Sequence, residues 1–248
     1  MGKISREAFQ EAEYYFPYHY IDLASKEFKQ IKAIDYLEKI FTIIKYSKIN
    51  SNSNVLDIGC GDGRLIYEIK KHTSNIIGID VSEKAINFAK AFNPQIKFIV
   101  GDITSKKISL EQEFSVITCV DVIEHLPDKK VKQVIDKAYD MLQPDGKLVI
   151  SVPSTNLKLI PKHYKHYSTS ELKKVVSTKF KKISIYGYLP KNNDKKVKAL
   201  QAIGLLLYPL SQRYAWIDNY YGFMKNYLHN NFICNSDEGF GIIAICQK

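Results

Sequence analysis

The chain has 248 residues, 45% of them hydrophobic and 25% charged, with a formal net charge of +10. That composition is ordinary for a globular protein and predicts a cooperative core rather than disorder, and the length suits one elaborated domain or one domain with a small cap. The excess charge is regional: residues 158–198 hold 12 of the 36 lysines and arginines but only two acids, Glu171 and Asp194, leaving 24 basic and 24 acidic residues elsewhere. Such a stretch attracts phosphates, nucleic acid or an anionic membrane, or is simply a solvated surface.

The N-terminal segment MGKISREAFQEAEYY lacks the apolar stretch of a signal peptide, and Arg6 stands where a Gly2 myristoylation pattern wants Ser or Thr. Tyr14, Tyr15, Phe16, Tyr18, His19 and Tyr20 then crowd around Pro17. They read as an ordered arm that either closes over a ligand as a lid or packs on the domain surface. Over residues 21–48, Ile31, Ile34, Leu37, Ile40, Phe41 and Ile44 recur at helical spacing.

A strand–helix alternation follows. SNVLDIGCG, NIIGIDVS, IKFIVGDI, FSVITCVDVIEHL and GKLVISVPS read as strands, the fourth running into a helix. RLIYEIKKH, EKAINFAKAF and KKVKQVIDKAYDML read as the helices between them. Val- and Ile-rich strands separated by helices of about three turns predict a parallel sheet covered on both faces. STSELKKVVSTKF reads as a helix capped by Ser168 or Ser170. KKISIYGYLP and EGFGIIAICQK then supply an antiparallel pair that ends a seven-stranded sheet.

The expected organisation is an arm with helices over 1–50, a core over 51–190, a helical insert over 191–238 and a last core strand over 239–248. The longest uncharged apolar run, residues 199–212, is too short to span a membrane and is broken by Pro209. Cys60, Cys119, Cys234 and Cys246 show no C-x-x-C spacing and read as free thiols of a reducing compartment. A cytoplasmic location is expected, with peripheral membrane contact as an alternative.

The chemistry concentrates at the strand ends. V-L-D-I-G-C-G-D-G-R-L over 55–65 places Asp57 at the end of the first strand and Gly59, Gly61 and Gly63 in the turn after it. Glycines let a ligand approach the backbone, and the next helix begins with free N–H groups. Asp57 would repel a pyrophosphate but can accept hydrogen bonds from an amine, which disfavours a dinucleotide dehydrogenase. Asp80 ends the second strand and can take both hydroxyls of a ribose. Asp102 ends the third and can accept from an adenine amino group. Three acids at neighbouring strand ends form one site at the carboxyl edge of the sheet.

DIGCGDG, GIDVS, GDI, CVDVIEHLPD and LQPDGKLVISVPS resemble the successive motifs of the class I, Rossmann-like SAM-dependent methyltransferases over roughly residues 50–190. The resemblance implies S-adenosyl-L-methionine as cofactor and S-adenosyl-L-homocysteine as product. It implies a cofactor pocket lined by Asp57, Gly59, Cys60, Gly61, Asp80, Val81, Asp102, Ile103, Asp121 and Val122. The chain is accordingly expected to be an enzyme that methylates an oxygen or nitrogen of a small or amphipathic acceptor, such as a sugar, lipid or quinone-like molecule.

Methyl transfer needs alignment and exclusion of water, and a base only when the acceptor arrives protonated. His125, just past the fourth strand, is the leading candidate base. His163 and His166, in PKHYKHYS, follow the fifth strand where this fold borders the acceptor. The insert tyrosines offer an acceptor wall, a homodimer face or a lipid contact, and a buried insert core explains the same residues. A metal reading groups Asp121, Glu124 and His125, at i, i+3 and i+4, with His163 or His166. It resembles the small-RNA 2′-O-methyltransferases but departs from them at Asp121, where they carry glutamate, and no metal is assigned. That RNA enzyme and a catalytically silent SAM-binding partner subunit are the alternatives.

Overall fold

The Val- and Ile-rich runs become strands whose two faces are both buried. The structure, a computed structural model, describes residues 11–12, 14–20, 28–210, 213–214 and 216–248. Helix α1 (Phe28–Ser47) precedes β1 (Val55–Ile58), α2 (Arg64–Ile69), β2 (Ile76–Asp80), α3 (Glu83–Phe92) and β3 (Lys97–Val100). Then come β4 (Phe114–Val120), α4 (Asp128–Met141), β5 (Leu142–Pro153), α5 (Thr169–Val176) and β6 (Lys182–Pro190). Helices α6 (Asp194–Leu207) and α7 (Trp216–Asn231) and strands β7 (Ile233–Cys234) and β8 (Gly239–Gln247) complete the chain. The side chain of Ile31, residues 21–27 and the Gly2–Arg6 stretch lie outside the described residues.

The sheet runs β3-β2-β1-β4-β5-β8-β6-β7. Strands β1 to β5 pair in parallel, and β8 lies antiparallel between β5 and β6. The expected seven strands are therefore eight. The extra one, β7, pairs Ile233 and Cys234 with Tyr188 and Gly187 on the outer edge of β6. Two residues carry no alternation to read, which is why Cys234 looks like a turn residue in the sequence.

Period-two alternation divides the core between the sheet faces. Leu56 and Ile58 pack with Val131, Ile135, Leu172 and Phe180 of the α4–α5 layer. Val55 packs on the other face with Ile40, Ile66, Ile86, Met224 and Leu228, so α1, α2, α3 and α7 share that layer. Ser82 caps α3, and Ser168 with Glu171 forms a capping box at α5. The insert is helical as expected, with α6 and α7 packed on each other and on α1.

The expected helix after the fourth strand is instead a single 3₁₀ turn, Ile123–His125, because Pro127 restarts the chain as the cap of α4. All four cysteines are free. No helix among the described residues is long and apolar enough to cross a membrane.

Candidate active site

The carboxyl ends of β1 to β4 open into a cavity of about 860 Å³, a volume that suits two small-molecule ligands side by side. The ten residues expected at the cofactor all line it. Its floor is the glycine turn, where Gly59 has φ +70° and Gly61 φ +54°. A Cβ on Gly59 would meet Val122 Cγ2 at 2.3 Å, and one on Gly61 would meet the Tyr14 hydroxyl at 2.7 Å. Only glycine fits both the backbone and the space.

Asp57 is buried, and its Oδ1 accepts from the Thr118 hydroxyl at 2.7 Å on the paired strand. Burial, with Asp80 nearby, pushes its carboxyl up to about 7 against that single hydrogen bond. Asp80 accepts from the backbone N–H of Gly61 and of Ser82, each at 2.9 Å, which ties the glycine turn to the end of β2. Burial raises Asp80 as well, and the N–H donors oppose the rise. Asp102 accepts from Thr104 N–H at 2.8 Å and pairs with Lys130. Burial would raise this carboxyl, but Lys130 and Thr104 outweigh it and hold it below the usual carboxylate range.

Asp121 follows β4 with φ +55°, an uncommon conformation for a residue with a side chain. It precedes the 3₁₀ turn, so it does not share a helix face with Glu124 and His125 as their spacing suggested. Its N–H donates to Ser151 O at 2.9 Å, and its Oδ1 accepts from the Ser151 hydroxyl at 3.1 Å. Its Oδ2 pairs with Lys39 of α1.

The histidines form a chain. His166 Nδ1 lies 3.1 Å from Leu157 O, and His163 Nδ1 lies 2.8 Å from His166 Nε2. A carbonyl can only accept, so His166 donates from Nδ1–H to Leu157 O, and the contact between His163 Nδ1 and His166 Nε2 links the two rings. Burial, helped by the nearby His125 and His166, lowers His163 to about 4 and keeps it neutral. His125 packs edge-on against His163 at 4.5 Å and lines the cavity with it, whereas His166 stands behind them and positions His163. Glu124 is buried with Oε2 unpartnered, and burial and Asp121 hold its carboxyl well above its ordinary value. Glu124, His125 and His163 each present one ligand atom within 4.8 Å of the others, an arrangement able to hold a metal ion.

The aromatic arm docks beside the glycine turn. Tyr14, Tyr18 and His19 line the cavity, and His19 Nδ1 lies 3.1 Å from Asp62 Oδ1. Tyr20 stacks on Phe92 at 3.8 Å, while Tyr15 points outward. The cavity also holds Tyr36, Lys39 and Tyr188, which the sequence reading passed over. A signal for Lys39 existed: Tyr36, Lys39, Ile40 and Ile43 stand at i, i+3, i+4 and i+7, so a lysine sits inside an apolar helical stripe.

A parallel sheet ordered 3-2-1-4-5, a glycine turn after its first strand and acids at or near the carboxyl ends of the first three strands define a Rossmann-like fold of the nucleoside-binding kind. The methyltransferase-domain family matches residues 55–146 of the chain. The ubiquinone biosynthesis O-methyltransferase of Coxiella burnetii (strain RSA 493 / Nine Mile phase I) is 30% identical over 131 residues, covering 50% of this chain and 51% of that protein. The enzyme of the same name from Pseudomonas aeruginosa (strain UCBPP-PA14) is 30% identical over 112 residues, covering 44% and 47%. The chain thus spans about half the length of the curated relatives it matches.

Among solved structures, the N-methyltransferase NodS from Bradyrhizobium japonicum WM9 superimposes with a TM-score of 0.58 at 16% identity, covering 86% of this chain and 96% of NodS. Magnesium protoporphyrin IX methyltransferase from Synechocystis PCC 6803, with bound SAM, superimposes with a TM-score of 0.56 at 16% identity, covering 76% and 92%. These two likenesses establish the fold.

Proposed function

We propose that the chain is a SAM-dependent methyltransferase acting on an oxygen or nitrogen of a small or amphipathic acceptor, with a sugar, lipid or quinone-like molecule as the class. The observation that carries this reading is the division of one cavity into two chemically different ends. Asp57, Asp80 and Asp102 border the end over β1 to β3, and Lys39, His125 and His163 border the end beyond β4. A buried carboxylate with one hydroxyl partner, such as Asp57, suits the amine of the methionine part of SAM. Asp80 suits the ribose, and Asp102, Val81 and Ile103 the adenine. Gly59, Cys60, Gly61, Asp121 and Val122 complete that wall. When bound, SAM supplies an electrophilic methyl group on a sulfonium.

The protein's own part is to orient the acceptor, exclude water with the aromatic arm as a lid, and receive a proton at His125, with His163 and His166 behind it. The relatives named as ubiquinone biosynthesis O-methyltransferases favour an acceptor hydroxyl. For an amphipathic acceptor, α6 offers an exposed stripe in Ile203 and Leu206 beside the exposed Lys195 and Lys196. Co-sedimentation with anionic vesicles tests a lipid contact there, and sedimentation velocity tests a homodimer.

The test of function is calorimetric binding of S-adenosyl-L-homocysteine, followed by transfer of labelled methyl from SAM into fractionated cell extract. Binding with counts in the organic or small aqueous fraction is expected. Nuclease-sensitive precipitable counts would replace this reading with the RNA enzyme, and binding without any transfer with the silent subunit. One observation favours a metal-assisted version, the convergence of Glu124, His125 and His163. Loss of transfer after chelation, restored by a divalent cation, is its signature.

A further inference from the structure

We propose that Lys39, flanked by Tyr36 and Tyr188, forms a subsite that holds the acceptor's aromatic hydroxyl as its anion. The inference deepens the methyltransferase reading and rests on it. Lys39 is a lysine whose side chain is 10% exposed, inside the cavity rather than on the surface. Its ammonium pairs with Asp121 and lies 5.2 Å from the Tyr36 ring centre and 5.9 Å from that of Tyr188. Both rings are backed: Tyr36 stacks on His19 at 4.9 Å, and Tyr188 on Phe232 at 5.6 Å. Tyr188 is further fixed by the Ser151 hydroxyl at 3.2 Å, the same hydroxyl that donates to Asp121. A rigid pair of rings around a cation offers contact area to a flat aryl group and a counter-charge to its oxygen.

Burial alone would lower the Lys39 pKa, but the Asp121 carboxylate outweighs it and keeps the ammonium charged. Lys39 and Asp121 cancel each other. Glu124 and His163 line the same cavity. Asp35 and Tyr36 line the cavity from α1 itself, Tyr188 from β6, and His125 and Lys162 from across the cavity. A sulfonium methyl beside this pair adds to the attraction for an acceptor oxygen bound as an anion. An ammonium has three donors, and Asp121 engages one of them. On binding, the phenol passes its proton to His125, from which it leaves to solvent, and the phenolate oxygen accepts from the ammonium.

4-Nitrophenol reports its own ionisation by its absorbance. It would be titrated with pH in the presence of the full-length protein and saturating S-adenosyl-L-homocysteine. The wild type is expected to lower the apparent pKa of the bound dye by about one unit, a tenfold preference for the anion. Lys39→Arg is expected to retain most of that shift, and Lys39→Met to abolish it. Because Lys39→Met strands the Asp121 carboxylate, the charge-neutral double variant Lys39→Met with Asp121→Asn is measured alongside.

An equal shift in wild type and in both Met variants, or binding of the neutral phenol by wild type, would overturn the subsite. So would failure of the wild type to bind the dye at all. Calorimetry with S-adenosyl-L-homocysteine separates the two ideas. A protein that binds it but not the anion retains the methyltransferase reading and loses this one. A protein that shows the Lys39-dependent shift without binding it does the reverse.

Discussion

Asp57 sets the pH behaviour of the donor end. Its carboxyl is raised by burial to about 7, so below that pH it holds a proton. A cationic amine binds the carboxylate form, and the proton must leave before the pair can form. Affinity for S-adenosyl-L-homocysteine is therefore expected to rise between pH 5.5 and 7.5, with proton release that calorimetry in buffers of different ionisation heat detects. Asp57→Asn should bind weakly at every pH and show no slope. Gly59 makes a second prediction at this scale. With φ at +70° and Val122 2.3 Å from a new Cβ, Gly59→Ala pays the left-handed backbone penalty of about 1–2 kcal/mol and must also move Val122. A melting temperature lower by roughly 2–8 °C is expected, with weakened donor binding.

Among the elements, the aromatic arm and the 3₁₀ turn carry the behaviour that secondary structure alone does not. The Tyr14 hydroxyl presses on Gly61, and His19 reaches Asp62 within the glycine turn, so the arm touches the loop that holds the donor. Tyr14→Ala is expected to speed release of S-adenosyl-L-homocysteine severalfold in stopped-flow and, because Tyr14 is buried, to lower the melting temperature as well. An unchanged release rate would make the arm simple packing. The strand ends with Asp57, Asp80 and Asp102 were legible because each acid closes a Val- or Ile-rich run, a contrast that local sequence displays. The eighth strand was not legible, because two residues against the edge of β6 have no period. Lys39 was harder still: its place in an apolar stripe is local, but its partner Asp121 is 82 residues away. The helix expected around Glu124 and His125 was overread from spacing, since Asp121 at positive φ and Pro127 confine the segment to one 3₁₀ turn.

For the molecule as a whole, the site trades stability for binding. Asp57 and His163 both have folded-state pKa values displaced from ordinary ones, and in opposite directions. Asp57 is raised, so the native state binds more protons than the unfolded chain between about pH 4 and 7, and its contribution is lost as pH rises through that window. His163 is lowered, so the unfolded chain binds more protons between about pH 4 and 6.5, and its contribution is lost as pH falls. The two slopes largely cancel near pH 5, and above pH 7 only the cost of ionised, buried Asp57 is left. At about 1.4 kcal/mol per pKa unit, that cost is on the order of a few kcal/mol. Asp57→Asn removes the charge and can keep the Thr118 hydrogen bond. Without ligand at pH 8 it is expected to melt several degrees above wild type, and at pH 5 to show little difference. Saturating S-adenosyl-L-homocysteine should reverse the order at pH 8, because the wild type binds it more tightly and gains more stability from it. Thermal melts at the two pH values, with and without the ligand, measure all four terms. A variant no more stable than wild type at pH 8 would mean that Asp57 is ionised there at no cost.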